Sequence, residues 1–226
     1  RKVQESTSAQ KKLNDKKSQR NFVRKVHLNF NQEDLYIDLT YDKGNIPDTR
    51  ERVLKDIKNY INRLKRARKR LGIAEPLKYI YVISNMDNNG NKVRYHVHMI
   101  INNMDRDVAE KAWGKGRANT DRLQYNEYGV EGKSLYMARQ AGGERAWGGS
   151  TNLKKVEAVV KDNRRELTKK KLEDMERCPE DRVIFEKLYP GWFFTECIIE
   201  RENEEGAGQT RFLIKMRKYK DNFKTS

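Results

Sequence analysis

A long stretch with helical periodicity, from Val53 to Gly72, constrains the fold of this chain most strongly. Its apolar residues recur three and four positions apart, and cations occupy the opposite side. The apolar members are Val53, Ile57, Tyr60, Ile61, Leu64, Ala67 and Leu71, and the cations are Lys55, Lys58, Arg63, Arg66, Lys69 and Arg70. Asp48 and Glu51 have the spacing of a capping box, which predicts the helix start. A stripe of this length must be buried against another layer, so the pattern predicts a helix packed on a sheet.

Alternating apolar residues on both sides of this helix predict the strands of that sheet. Residues 35–41 place Leu35, Ile37, Leu39 and Tyr41 on one face, which is typical of a half-buried strand. Residues 78–84 and 94–101 are two further strands, joined into a hairpin by a polar turn at 87–91. The other predicted elements are a helix at 105–113, a strand at 118–125, helices at 131–140 and 161–176, and a hairpin of strands 193–201 and 210–219. This order predicts an α+β fold with an antiparallel sheet.

The chain is predicted to contain one main domain and an N-terminal arm, since its length suits a single domain of ordinary size. Residues 1–24 are basic and thinly apolar, so we interpret them as an arm or a frayed helix with no apolar face to bury. Residues 25–226 form the main domain. Within it, 33–150 carry the motifs described below, and 155–220 carry a C-terminal helix and hairpin.

The charge balance indicates a polyanionic partner. The chain has 49 Lys+Arg against 33 Asp+Glu, a net charge of +16. Nucleic acid is the commonest such partner, although a solubilising surface would carry the same charge. No apolar run is long enough to span a membrane, and the first thirty residues lack the apolar core of a secretory signal. Since Cys178 and Cys197 also lack metal or redox spacing, we expect an intracellular protein without a disulfide framework or a membrane partner.

The pair His96 and His98 is the sharpest chemical feature of the sequence. Residues two apart on a strand point to one face, so the two imidazoles could converge on one metal ion. A pair of surface or hydrogen-bonded histidines is the alternative interpretation. Two imidazoles rarely hold a divalent ion alone, and a further ligand is therefore needed. The candidates for that ligand are Ser84, Asn85, Asp38 and Asp87.

Tyr136 and Arg139 present a phenol and a guanidinium to the same side of a predicted helix. A neighbouring cation favours the phenolate, so Tyr136 is a candidate nucleophile toward a phosphate polarised by a metal ion. The alternative is a core tyrosine with an arginine that faces solvent. Taken alone, the spacing Tyr-x-x-Arg occurs often by chance.

Taken in this order, the motifs resemble those of HUH endonucleases. They are Leu39-Thr40-Tyr41 at the end of an apolar strand, His96-Val97-His98 and Tyr136-x-x-Arg139, and the later stretch Trp147-Gly-Gly-Ser-Thr-Asn-Leu adds to the likeness. Over about residues 20–150, the chain is most similar to the rolling-circle replication initiators, or Rep proteins, of small bacterial phages and plasmids. The resemblance implies a central antiparallel five-stranded sheet of ferredoxin/RRM-like topology, with helices packed on one face.

The resemblance also implies an activity, namely metal-dependent nicking and ligation of single-stranded DNA to initiate rolling-circle replication. Tyr136 matches the nucleophile, which forms a 5′-phosphotyrosine and releases a 3′-OH. His96 and His98 match the metal-binding motif, with Mn²⁺ or Mg²⁺ as the implied cofactor. The chain departs from the family pattern twice: Arg139 stands where a Lys is common, and Ser84 stands where relatives place a metal-binding Glu.

The partners implied are single-stranded or origin hairpin DNA and the host replication machinery, in the cytoplasm of a bacterial cell. Cations expected to contact the phosphate backbone are Lys111, Lys115, Arg117 and Arg122. Tyr95 is expected to stack on bases, although packing on the sheet explains it equally well. The alternatives are a non-catalytic module that binds single-stranded nucleic acid, and a relaxase or single-tyrosine transposase.

Overall fold

The chain divides into two compact units, Arg1–Glu157 and Ala158–Ser226. The structure, a computed structural model, describes residues 8–87, 91–124, 129–141, 147–157, 167–202 and 209–218. The predicted elements that fall partly outside these residues are the arm at 1–24, the turn at 87–91, the strand at 118–125, the helix at 161–176 and the strand at 210–219. The domain bounds proposed from the sequence stay predictions.

The first unit is built on a five-stranded antiparallel sheet. Its elements in chain order are α1 (Ser8–Asn29), β1 (Leu35–Leu39), a short 3-10 turn (Lys43–Asn45), α2 (Arg50–Arg70), β2 (Tyr79–Met86), β3 (Lys92–Ile101), α3 (Arg106–Lys111), β4 (Ala118–Arg122), α4 (Glu131–Gln140) and β5 (Trp147–Gly149). The strand order is β4-β1-β3-β2-β5, and every pair of neighbouring strands is antiparallel. The predicted α+β class and five-stranded antiparallel sheet are therefore confirmed.

Helices α2 and α3 cover one side of this sheet, which we call the α2 face. Its core contains Leu35, Ile37, Leu39, Val97, Met99 and Ile101 of the sheet, Val53, Ile57, Tyr60, Ile61, Leu64 and Ala67 of α2, and Ala109 and Trp113. The predicted capping box is wrong by one residue: Thr49, not Asp48, caps α2, and its hydroxyl accepts a hydrogen bond from the backbone N–H of Arg52 at 3.3 Å. Leu71 follows the last helical turn and is 51% exposed.

Helices α1 and α4 cover the other side, which we call the α4 face. Its core contains Phe22, Val26 and Phe30, Met137 and Ala138 of α4, and Tyr36, Ile80, Val82 and Ile100 of the sheet. The expectation that helices pack on one face is therefore wrong for α1 and α4. The expectation that 1–24 has nothing to bury is also wrong, because Phe22 is fully buried. Apolar residues four apart make a narrow stripe along α1, which the basic composition of the segment conceals.

The described residues of the second unit form two helices and a hairpin. Its elements are α5 (Lys169–Arg177), α6 (Arg182–Leu188), β6 (Trp192–Glu202) and β7 (Gln209–Lys218). Strands β6 and β7 pair in an antiparallel manner, as predicted, and Met175, Phe185 and Phe194 form a small core. The sequence did not predict α6. None of the helices in the described residues is both long and apolar enough to cross a membrane.

Candidate active site

His96 and His98 lie on β3, with their rings 4.9 Å apart between centroids. The sheet register places Asp38 of β1 directly beside His98, and the two form a close polar contact. His98 Nδ1 lies 2.5 Å from Asp38 Oδ1 and 2.8 Å from the Tyr36 hydroxyl. That hydroxyl also donates to Asp38 Oδ1, at 2.5 Å. Tyr36 and Asp38 therefore fix the orientation of the His98 ring from the neighbouring strand.

The two histidines each engage a protein acceptor through Nδ1. A His98 Nδ1–H donated to the Asp38 carboxylate is the tautomer that this contact favours, and it leaves a lone pair on Nε2. His98 is only 4% exposed, and Nε2 is buried without a hydrogen-bond partner among the described atoms. His96 Nδ1 lies 3.1 Å from the Arg94 carbonyl oxygen. Histidines that bind metals are commonly held in this way, with one nitrogen bonded to a carboxylate or carbonyl and the other available to the ion.

The electrostatics of the site favour a neutral His96 and a charged Asp38. Burial lowers the pKa of His96, so its ring is neutral near pH 7. Burial by itself raises the pKa of Asp38, but hydrogen bonds from His98 and Tyr36, with the charge of Lys133, outweigh it and hold that pKa below the ordinary value. Metal binding requires a neutral imidazole, as in His96, and it is favoured by an ionised carboxylate bonded to the other ligand, as Asp38 is to His98.

Tyr136 of α4 contacts His98 of the histidine pair. Its ring meets the His98 ring edge-on, with centroids 5.3 Å apart, and it is 37% exposed. The structure thus brings together the predicted nucleophile and the predicted metal ligands, which are far apart in the chain. Burial and the Asp38 carboxylate raise the pKa of Tyr136, so the expectation of a favoured phenolate is wrong for the protein alone.

Lys133, rather than Arg139, is the cation over the aromatic rings of the site. Its Nζ lies 4.1 Å from the centroid of the Tyr36 ring and 5.9 Å from that of Tyr136. Arg139 lies one turn beyond Tyr136 and is exposed. The sequence analysis missed Lys133, although its spacing of three residues before Tyr136 was a usable signal, since such residues share a helix side.

Ser84 occupies a buried position beside His96 in the sheet register. Its Oγ lies 3.2 Å from Gln140 Oε1 and 3.2 Å from the Met86 carbonyl oxygen. Gln140 is the second residue that the sequence analysis missed. It follows Tyr136 by one helical turn, so both side chains approach the sheet from the same side of α4. An amide oxygen and a hydroxyl therefore stand next to the histidine pair.

The two acidic candidates for a third ligand, Asp38 and Asp87, are otherwise engaged. Asp38 is bonded to the Nδ1 side of His98, away from the available Nε2. Asp87 accepts hydrogen bonds from Asn91 within the hairpin turn. Across the described ranges, no group of three or more His, Cys, Asp and Glu side chains is arranged to hold a metal ion.

Comparison with known proteins assigns the family. A sequence model of the family described as "Replication-associated protein", of the ORF2 type, matches residues 34–171, more than half of the chain. The chain belongs to this family. The match includes β1, His96, His98 and all of α4, and it associates this chain with DNA replication. No curated protein and no solved structure gives a significant match.

The other predicted contact residues of this replication-associated protein lie away from the histidine pair. Lys111 ends α3 on the α2 face, and Tyr95 packs against the core of that same face. Lys115 Nζ lies 3.9 Å from the buried Asp56 Oδ1. Arg122 donates to Asn103 Oδ1 at 2.9 Å and to the Glu33 carbonyl. The exposed Arg117 precedes the edge strand β4.

Proposed function

We propose that this replication-associated protein is a metal-dependent nickase and ligase that acts on single-stranded DNA and initiates rolling-circle replication. The observation that carries the proposal is the position of Tyr136, whose ring lies 5.3 Å from that of His98. A half-exposed phenol beside two imidazole rings can reach a phosphate group that is held at those rings. The family match supports a role in DNA replication, and we propose nicking and ligation as the activity behind that role.

The nicking step is an attack by the Tyr136 hydroxyl oxygen on the phosphorus of the scissile phosphodiester. The new oxygen–phosphorus bond forms as the bond to the 3′ oxygen breaks, which leaves a 5′-phosphotyrosine and a free 3′-OH. The phenol proton passes to solvent, which reaches the half-exposed ring, and the leaving 3′ oxygen takes up a proton. Ligation reverses these steps, with a 3′-OH as the attacking group.

Lys133 is the cation that we assign to stabilise the phenolate of Tyr136 during the attack. Burial and Asp38 hold the phenol in its protonated form, so loss of its proton needs a nearby positive charge. Lys133 Nζ lies 5.9 Å from the ring centroid and supplies such a charge. The charge of Lys133 also lowers the pKa of the Asp38 carboxyl.

The donor atoms on the α4 face fit a divalent ion. His98 Nε2 is a buried nitrogen without a partner among the described atoms, and Asp38 holds the ring from behind. His96 and His98 would supply two nitrogens, and Gln140 Oε1 or Ser84 Oγ an oxygen. A bound ion would polarise the scissile phosphate. Two imidazoles make Mn²⁺ at least as suitable as Mg²⁺.

A second candidate function is a non-catalytic module that binds single-stranded nucleic acid. The observation that favours it is that, among the described residues, no carboxylate completes a metal site with the two histidines. A relaxase or a single-tyrosine transposase would use the same nucleophile and histidines. Membership of a replication-associated family favours the initiator over these two.

The experiment that tests the proposal uses a single-stranded DNA library, labelled at either end, with Mn²⁺. A 5′-phosphotyrosine keeps the 3′ part of the DNA, so the 3′ label should migrate with the protein on a denaturing gel. The 5′-labelled fragment should be released with a 3′-OH that a polymerase extends. EDTA should prevent both products and added Mn²⁺ should restore them. Tight binding without any adduct in Mn²⁺ or Mg²⁺ would leave the binding module as the function.

A further inference from the structure

A cationic surface lies on the α2 face, on the side of the sheet opposite to Tyr136. It is a groove between α2 and α3, which we call the α2–α3 groove. The cations that line it are Arg63, Arg66, Lys69 and Arg70 of α2 and Lys111 of α3. Its other lining residues are small and apolar, and none of the described lining residues is acidic or aromatic. The groove therefore presents five positive charges from two helices to one ligand.

Stability of the fold does not account for this concentration of charge. Lys69 and Arg70 lie in the last turn of α2, where cations stabilise the helix dipole. Arg68 is buried and donates to the carbonyl oxygens of Asn103 and Glu75, at 2.8 and 2.7 Å. Lys111 has the same position in the last turn of α3, but neither role applies to Arg66. From Ile57 to Arg70 the helix contains no acidic residue, so mutual repulsion of the cations is not offset within the helix.

Arg63 makes the groove a fixed feature. Its Nε donates to the Ala112 carbonyl and its Nη2 to the Trp113 carbonyl, both at 2.5 Å. These bonds hold the end of α3 against α2. Trp113 is fully buried between Tyr41 and Tyr60, which anchors that connection in the core. The spacing between the cations of the two helices is therefore set by the fold and does not depend on a ligand.

We propose that the α2–α3 groove binds the phosphate backbone of double-stranded DNA that flanks the single-stranded segment bound at Tyr136. The inference rests on the proposed function for its partner, and it adds a second binding site, on the opposite face of the sheet, for the duplex part of that DNA. Single-stranded DNA is usually held by aromatic side chains that stack on its bases, and none lines the groove among the described residues. A duplex turns its bases inward and its phosphates outward, so cations alone suffice to bind it.

The test compares two paired substitutions on the same helix. Arg66→Gln/Arg70→Gln removes two exposed charges from the groove, and Lys55→Gln/Lys58→Gln removes two exposed charges of α2 outside it. Each protein is titrated with a blunt duplex, and with one of its strands alone, at several salt concentrations. The groove variant should bind the duplex roughly tenfold more weakly, and its salt slope should be smaller by about two. The control variant should bind like the unaltered protein.

Two further measurements complete the test. Lys111→Gln should weaken duplex binding in the same direction, since it removes a cation from the α3 side. The covalent adduct with single-stranded DNA should form normally in the Arg66→Gln/Arg70→Gln protein, and its thermal unfolding should match the control. Equal duplex affinity in all the proteins would overturn the inference. So would an equal loss of single-strand affinity, which would make the groove part of the single-strand path. If the unaltered protein formed no covalent adduct, the proposed nicking activity would be rejected, and the duplex affinities of the variants would still test the groove.

Discussion

The Asp38 carboxylate on β1 accepts a hydrogen bond from Nδ1 of His98 on β3, at 2.5 Å. The two residues are paired across adjacent strands, and Tyr36 joins the same contact through its hydroxyl. This contact occupies Nδ1 and orients the ring, and it leaves Nε2 without a partner among the described atoms. Asp38 is therefore a positioning residue for the proposed metal site.

Asp38→Asn should weaken Mn²⁺ binding by about 10–100-fold, the usual effect of losing a carboxylate behind a histidine ligand. Direct titration, with free Mn²⁺ followed by its electron paramagnetic resonance signal, measures this without reference to nicking. Asp107→Asn is the matched control, since Asp107 is exposed on α3. Equal affinity in the Asp38 variant and the control would contradict the positioning role.

Tyr136→Phe should abolish the covalent adduct and leave affinity for single-stranded DNA nearly unchanged, because it removes one oxygen atom and keeps the ring. A denaturing gel and a binding titration on the same preparation measure both quantities. Tyr95→Phe, on the opposite face of the sheet, should keep the adduct. An adduct that persists in the Tyr136 variant would show that another residue is the nucleophile.

Lys133→Gln should slow nicking substantially, whereas Arg139→Gln should change it little. Lys133 Nζ lies over the rings of Tyr36 and Tyr136, while the Arg139 side chain is exposed. Single-turnover rates at several pH values separate the two, because loss of a charge that favours the phenolate should move the rate profile of the Lys133 variant to higher pH. The reverse ranking of the two variants would return the role to Arg139.

Gln140→Ala should lower Mn²⁺ affinity, and Gln140→Glu should raise it, because a carboxylate adds charge to the coordinating oxygen. Ser84→Ala serves as the comparison, since Ser84 Oγ and Gln140 Oε1 are hydrogen-bonded at 3.2 Å. Calorimetric titration with Mn²⁺ gives the three affinities. If Ser84→Ala lowers the affinity and Gln140→Ala does not, the serine hydroxyl is the third ligand.

Leu64→Ala should lower the free energy of unfolding of the first unit by about 2–5 kcal/mol, because Leu64 is fully buried between α2 and the sheet. Leu54→Ala, on the same helix but 38% exposed, should cost much less. Urea unfolding followed by circular dichroism compares the two. Similar losses for both would mean that α2 does not pack by the face described.

The regular elements of the first unit other than β5 could be predicted because each has a local signal, whereas β5 has only three residues and was not predicted. The stripe of α2 and the alternation in β1 need only neighbours three, four or two residues away, and α4 begins and ends at the residues predicted, Glu131 and Gln140. Thr49 replaced Asp48 as the cap because either residue type can cap and the backbone decides which of them adjoins the first turn. The sequence analysis missed the packing of α1 on the sheet, because the buried Phe22, Val26 and Phe30 are few among the many cations of that segment.

The sequence alone determined which chemistry is present: two histidines on one strand face, a tyrosine on a helix, and an excess of cations. Only the tertiary structure decided which groups meet. Asp38 faces His98 because β1 pairs with β3 at one register, and that register depends on burial of both strand faces and not on any local pattern. Lys133 reaches Tyr136, and five cations line a groove on the other face, because packing of α4 and α2 on opposite sides of the sheet sets where each side chain points.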